Sequence, residues 1–360
     1  MNYYSINKLV GICVDDQYPW TETLFFHKYL ADRTVEMYNQ CKAFIEVHYV
    51  KKISTENARW IGDQTYIGDN LYIDLAYGAK IERTDEKRIS LTVSQECNEW
   101  LVILLEISLL LCGYTMIHGA GVEKDGKVYL MPSWGGVGKT ATVCEFVRNH
   151  DWRLLGDDLI IIDDTSAASF LKPFVIYPYH RKLFPEVFQS GKSHTVKNIA
   201  VSNLMSKMIP TVKRILRPFP GVLAYIRKHN PQSVRISPYD LFSAVQLSAG
   251  GIPQKTVWLE RTRKENLILT DAEVQIIVSK AVSVTSCEIF ASKLNDVYQM
   301  CGCGLFRYDE IFSQMNHIMF ENFRKTQCCI LEIPVTVNIN DIGKIIYDVL
   351  QKDDCSVCPH

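Results

Sequence analysis

Met131-Pro132-Ser133-Trp134-Gly135-Gly136-Val137-Gly138-Lys139-Thr140 lies between a short apolar run, Lys127–Met131, and a segment, Lys139–His150, whose apolar residues recur at helical spacing. Strand, glycine-rich loop and helix follow in that order, and a second strand at Leu159–Ile162 comes next. This is the α/β arrangement in which a loop at the carboxyl end of a strand meets a helix N-terminus. Consecutive backbone N–H groups of such a turn can point inward, and the helix adds the positive end of its dipole, so a polyphosphate fits there.

The usual pattern, Gly-x-x-x-x-Gly-Lys-[Ser/Thr], has glycine where this chain has Ser133, but Gly135, Gly136, Gly138, Lys139 and Thr140 stand in place. Ser133, Trp134, Gly135, Gly136, Val137 and Gly138 are therefore expected to cradle ATP or another nucleoside triphosphate. Lys139 would reach the β- and γ-phosphates, and the Thr140 hydroxyl would ligate Mg²⁺. The plainer alternative is a tight turn followed by a solvated lysine.

Eighteen positions beyond Lys139, Gly156-Asp157-Asp158 opens an apolar strand. Adjacent carboxylates are costly to bury unless they share a cation or a proton. One of them can hold Mg²⁺ while the other accepts a proton from an attacking hydroxyl, as phosphoryl transfer requires. Asp163-Asp164, followed by Thr165-Ser166, reads as a turn. On spacing alone, His118 in Ile117-His118-Gly119 reads as a core histidine.

Further out, the first ninety-odd residues alternate like β structure, most clearly in Phe44–Val50, Asn70–Ala76 and Arg88–Val93, with a turn at Gly68-Asp69-Asn70. Residues 1–95 are expected to form a small β-rich part. Glu96–Tyr114 is apolar on almost every face, as in a helix packed inside a domain. The main domain then spans 96–352, its last helix at Asp341–Gln351, with a loose tail at 353–360. Within it, residues 187–239 contain no Asp or Glu but nine Lys and Arg, a local positive field. Aromatic residues are sparse in that segment, which argues against nucleic acid.

The chain has 360 residues, 47% hydrophobic, enough to bury a large core. Lys+Arg 39 against Asp+Glu 40 leaves no strong long-range pull on nucleic acid or acidic membranes. The N-terminus lacks the pattern of an export signal, so the protein reads as cytoplasmic. Leu101–Ile117, the most apolar window, carries Glu106 and is short for a membrane span. Of the twelve cysteines, Cys355-Ser-Val-Cys358 is half a zinc site by spacing, but no second half follows at a recognisable distance, and the thiols read as incidental.

Ile117-His118-Gly119, Lys127–Thr140 and Trp152–Ile162 with its Gly-Asp-Asp together resemble P-loop proteins of the HPr kinase/phosphorylase and phosphoenolpyruvate carboxykinase type. They look most like the HPr-kinase-related kinases such as the precursor-peptide kinases of lasso peptide clusters. In that family the acidic pair follows the loop helix closely, as here. The resemblance covers roughly 96–164 and extends to a similar strand at Val257–Arg261.

It implies a mixed-sheet fold with Lys139 and Thr140 on phosphates and Mg²⁺, Asp157 on the metal, Asp158 as base and His118 in the active site. The two aspartates could exchange roles. The chain departs from true HPr kinases in lacking their Pro-Gly-Arg-type signature and N-terminal domain, which argues against HPr as substrate.

The resulting expectation is an ATP- and Mg²⁺-dependent kinase acting on a Ser or Thr hydroxyl of a peptide or protein. A small-molecule kinase and a non-catalytic nucleotide sensor or scaffold are the alternatives. The basic segment, including Lys213, Arg214 and Arg217, together with His180, Arg181 and Lys182, would receive an acidic peptide or a phosphorylated small molecule. The sequence leaves the oligomeric state open, a homo-oligomer included.

Overall fold

Alternating burial marks a central strand of the first sheet. In Ala43–Tyr49, Ala43, Ile45 and Val47 are buried and the residues between them only partly so, the period-two signature of a half-buried strand. The structure, a computed structural model, describes residues 1–18, 35–189, 233–338 and 341–356.

Eight strands form the N-terminal sheet: β1 (Asn2–Ile6), β2 (Val10–Val14), β3 (Ala43–Tyr49), β4 (Arg59–Gly62), β5 (Thr65–Gly68), β6 (Leu71–Asp74), β7 (Ala79–Asp85) and β8 (Arg88–Val93). Their order is β1-β2-β3-β8-β7-β6-β5-β4. β3 runs parallel to β2 and to β8, and the other pairs are antiparallel.

A seven-stranded mixed sheet carries the rest: β9 (Thr115–Lys124), β10 (Lys127–Pro132), β11 (Arg153–Ile162), β12 (Ala167–Ala168), β15 (Gly250–Thr262), β16 (Ile268–Asp271) and β17 (Gln327–Pro334). β13 (Phe174–Ile176) and β14 (Val234–Ile236) pair separately. β10 pairs with both β9 and β15, and β12 bridges the end of β11 to the start of β15. Strands β11, β9, β10, β15 and β12 thereby close on themselves.

Both faces of this sheet are covered. In β10, Val128 and Leu130 join one hydrophobic cluster and Tyr129 and Met131 the other, so the strand reads as a continuous apolar run. The longer helices are α1 (Asn98–Leu110), α2 (Lys139–Asn149), α3 (Val274–Phe290), α4 (Leu294–Gly302), α5 (Gln314–Phe323) and α6 (Ile342–Ser356), with short turns of helix at Val35–Asn39, Pro185–Gln189 and Pro238–Leu241. The first cluster joins the N-terminal sheet to α1, α3 and α5, and the second packs α2 and α6. α1 touches β2, β3 and β8 on one side and β9 and α3 on the other, which explains its apolar residues all round.

Glu106 is the polar exception within α1: fully buried, it accepts hydrogen bonds from Thr115 Oγ1 at 2.5 Å and Met116 N at 2.9 Å. Burial pushes its carboxyl up to about 8, so it stays protonated and neutral at pH 7.

Two expectations shift. Gly156-Asp157-Asp158 lies inside β11, not ahead of it, because β9 pairs with the strand from Arg153 onward. The last helix runs to Ser356, past Gln351 and into the stretch read as tail. The helical run Val274–Gly302 is long and apolar enough to cross a membrane by length and composition. Here its buried residues Ile277, Val278, Ala281 and Val284 belong to the first cluster.

Charge as well as apolar packing ties the N-terminal sheet to the helices. Lys293, between α3 and α4, is 3% exposed. Its Nζ lies 2.6 Å from Asp74 Oδ2 of β6 and 3.1 Å from the Tyr77 ring centroid. Tyr72 donates to Asp296 at 2.5 Å, and Arg83 pairs with Glu310 at 3.0 Å. Lys293→Met strands the Asp74 carboxylate in the interior, and is expected to lower unfolding free energy by about 3–5 kcal/mol. Adding Asp74→Asn should recover part of that loss, because the two side chains share one interaction. Urea denaturation of the single and double variants measures both.

Candidate functional site

The loop 133–138 leaves β10 beside β15, its parallel neighbour, and the Ser133–Leu259 bridge carries that pairing one residue into the loop. β17 is parallel to β15 in turn. The loop therefore stands at the carboxyl ends of parallel strands, where open α/β sheets place their ligands. Gly136 at φ 80° and Gly138 at φ 107° adopt the left-handed backbone that favours glycine, and Gly138 caps α2.

Lys139 folds back across this loop. Its Nζ donates to the carbonyls of Ser133 at 3.1 Å and Trp134 at 3.0 Å, and lies 3.4 Å from His118 Nε2. It is 8% exposed, and among the described residues no carboxylate forms an ion pair with it. Burial pulls its pKa down, while Asp158 and Asp157 pull the other way. A buried ammonium held by neutral carbonyls alone is short of a counter-ion.

The two aspartates face the same cavity although they are neighbours on a strand, where successive side chains normally point to opposite sides. Two backbone features reconcile this. The β9–β11 register slips between Leu154 and Gly156, and Asp158 sits at φ 91°, a conformation that costs a non-glycine residue about 1–3 kcal/mol. Gly156 permits the bend, since a Cβ there would lie 2.5 Å from the Leu159 carbonyl oxygen.

The pair then divides. Thr140 Oγ1 donates to Asp157 Oδ2 at 2.8 Å, so hydroxyl and carboxylate meet at the start of α2. Asp158 Oδ1 lies 2.9 Å from His118 Nε2, and Lys172 Nζ contacts its other oxygen. Burial, and then the charge of Asp158, pushes Asp157 up to about 6. Burial acts on Asp158 too, but the His118 hydrogen bond and the Lys172 ammonium overcome it and hold that carboxyl well below the usual range.

His118, opposite Leu159 in the register, is placed by β9 and by Thr285 Oγ1 of α3, which accepts its backbone N–H at 2.9 Å. A protonated Nε2 donates to Asp158; an unprotonated one accepts from Lys139. The histidine is thus both buried and part of the site.

The cavity measures about 350 Å³, at the small end of the range for ligand sites. Gly135, Gly136, Gly138, Lys139 and Thr140 line it together with His118, Asp157 and Asp158. Its far wall is Tyr177, Tyr179 and His180. The two tyrosine rings stack at 5.3 Å and 7° and are partly exposed. Burial pushes His180 down to about 4, so its imidazole is neutral at pH 7.

Ser133 and Val137 are buried behind the loop, and Trp134 gives its carbonyl to Lys139 while its ring does not line the cavity. Of the expected acceptor contacts, His180 lines the cavity, but Arg181 and Lys182 are exposed outside it. Arg181 stacks over Phe188. Lys213, Arg214 and Arg217 lie outside the described residues, as does most of the basic segment.

Sequence reading missed Lys172, Thr285 and Glu288, which reach the site from distant elements with no motif around them. Tyr177 and Tyr179, the missed neighbours of the expected His180, form an aromatic run that is visible in the sequence.

Thr140 and Asp157 offer oxygen donors, the chemistry Mg²⁺ prefers, and Mg²⁺ needs only one or two protein ligands when phosphates complete its shell. Among the described residues no group of three or more His, Cys, Asp and Glu side chains could hold a metal by itself, and the described cysteines are free thiols.

Metal ligation requires Asp157 ionised, and its pKa is raised, so the ionised fraction falls about tenfold per unit below about 6. Mg²⁺-dependent ATP affinity is therefore expected to weaken as pH drops from 7 to 5. Asp157→Asn should be weak throughout and lose that dependence, as read by isothermal titration at each pH.

Comparison of the chain with protein-family models gives no match, and comparison with curated proteins gives none.

Proposed function

We propose that the protein is a kinase that uses ATP and Mg²⁺ to phosphorylate a hydroxyl group. The observation that carries this reading is the buried Lys139 ammonium, which has no carboxylate partner among the described residues and stands over a glycine turn, with Thr140–Asp157 on one side and His118–Asp158 on the other. An anion of high charge density meets what this group of side chains lacks.

Lys139 leaves the two carbonyls for the β- and γ-phosphates, and the turn's backbone amides share the load. Thr140 and Asp157 would hold Mg²⁺, which when bound would neutralise charge on the phosphates. His118 steadies Asp158 and stands beside Lys139, where charge builds on the transferring group. Asp158 receives the acceptor's proton. Its low pKa makes it a weak base, which suits a loose transition state in which the proton moves late. What supports this division ahead of pKa is that Thr140 Oγ1 donates to Asp157, while Asp158 meets His118 and Lys172. The stacked Tyr177 and Tyr179 offer a ring surface for the base of the nucleotide.

Intact Asp157 and Asp158 weigh against a pure sensor, which needs no proton acceptor.

At an ATP concentration of about 100 times Kd, wild type should gain about 2.7 kcal/mol of stability, and Lys139→Ala should gain none, in thermal melts with and without Mg²⁺-ATP. Asp158→Asn should keep the stabilisation and lose about 10²–10⁴ in kcat. A variant at Asp158 that turns over like wild type removes the base assignment.

A further inference from the structure

Beyond the His118–Asp158 pair lies a second chamber of about 250 Å³. It shares His118, Asp158 and Glu288 with the first cavity but has none of the glycine loop. Its remaining polar wall is Glu99 near the start of α1, Ser292 just past α3, and Lys172, with Val102, Leu159 and Ile289 supplying apolar surface. Asp158 can therefore be approached from two sides, with the phosphate loop on one and this chamber on the other. His118, 3% exposed, lines both, and its Nδ1 has no hydrogen-bond partner among the described residues.

The charge of the chamber is lopsided. Glu99, Glu288 and Asp158 contribute three carboxylates, and Lys172, already bound to Asp158, contributes one ammonium. Ser292 Oγ holds Glu99 Oε2 at 3.1 Å, and Glu288 has no ion-pair partner among the described residues. Both glutamates are exposed, so the chamber opens to solvent between them. Such a wall repels a phosphorylated or acidic acceptor and favours a cation. The volume lies below the roughly 300–1,000 Å³ of most drug-sized sites, which fits a small molecule better than a peptide.

Resting on the kinase reading above, we propose that this chamber takes the phosphoryl acceptor, and that the acceptor is a small molecule bearing a hydroxyl and an ammonium group. Glu99 and Glu288 hold the ammonium and turn the hydroxyl towards Asp158. The acceptor O–H gives its proton to Asp158, and its oxygen bonds to the γ-phosphorus. The bond from that phosphorus to the bridging oxygen breaks, its electron pair leaving on ADP. The peptide acceptor and the basic docking segment expected from the sequence are not needed for this step.

Ethanolamine, ethylene glycol and glycolate are close in size, share a hydroxyl and differ in charge, so they test the proposal directly with full-length wild type, ATP and Mg²⁺, phosphate esters being read by ³¹P NMR. The expected result is transfer to ethanolamine with a kcat/KM about tenfold or more above ethylene glycol, and none to glycolate. Glu99→Gln and Glu288→Gln should each raise the KM for ethanolamine by about tenfold and move that for ethylene glycol far less. Transfer to none of the three, equal use of all, preference for glycolate, or transfer only to an acidic Ser-containing peptide overturns the proposal. Thermal melts with Mg²⁺-ATP separate the two layers: if wild type is stabilised by the nucleotide and one of those outcomes follows, the acceptor assignment alone falls. If nucleotide does not stabilise it, the kinase reading falls as well.

Discussion

An ammonium without a counter-ion, held in a wall of carbonyls at the mouth of a helix, is the constraint from which the rest of the site follows. Lys139 is buried because only the loop 133–138 separates the end of β10 from the start of α2, and both elements are fixed by apolar packing on the faces of the sheet. Its charge has to be answered, and the chain answers it only in part. Asp157 and Asp158 act on it through space and do not touch it, each being engaged elsewhere, by Thr140 or by His118 and Lys172. The positive side of the cavity is therefore the loop itself, Lys139 and the start of α2, facing a wall that carries Asp157, Asp158 and Glu288.

The bend in β11 is the second requirement. An unbroken strand would send one aspartate into the cavity and the other into the opposite hydrophobic layer. Gly156 and the left-handed Asp158 abolish that alternation over a few residues. Strain of this kind persists where surrounding packing over-determines it, and here β9 pairs with β11 on both sides of the bend.

Much of this could be read in the sequence, and the limits have physical causes. The glycine loop, Lys139, Thr140 and the aspartate pair were legible because backbone conformation and charge burial leave local marks. The β-rich N-terminal region and the mixed α/β character were legible from periodicity. What local pattern cannot carry is the meeting of distant elements: Lys172 from the coil before β13, Thr285 and Glu288 from α3, Lys293 closing on Asp74. His118 looked like a core residue by its neighbours, and it is one. Only the pairing of β9 with β11 makes it a partner of Asp158 as well.

The strand ring closed by β12 has a mechanical consequence. Five strands joined into a loop leave no free edge among them, so the floor carrying both aspartates is tied by ladder hydrogen bonds through β9 to β10 and through β12 to β15. The wall at Pro173–His180 is held differently: its three-residue strand pairs with β14, and Phe174 and Ile176 pack in the same hydrophobic cluster as Ala120, Met131 and Leu154 of the ring. The floor beneath both aspartates is thus tied by backbone hydrogen bonds, and the wall opposite it by side-chain packing.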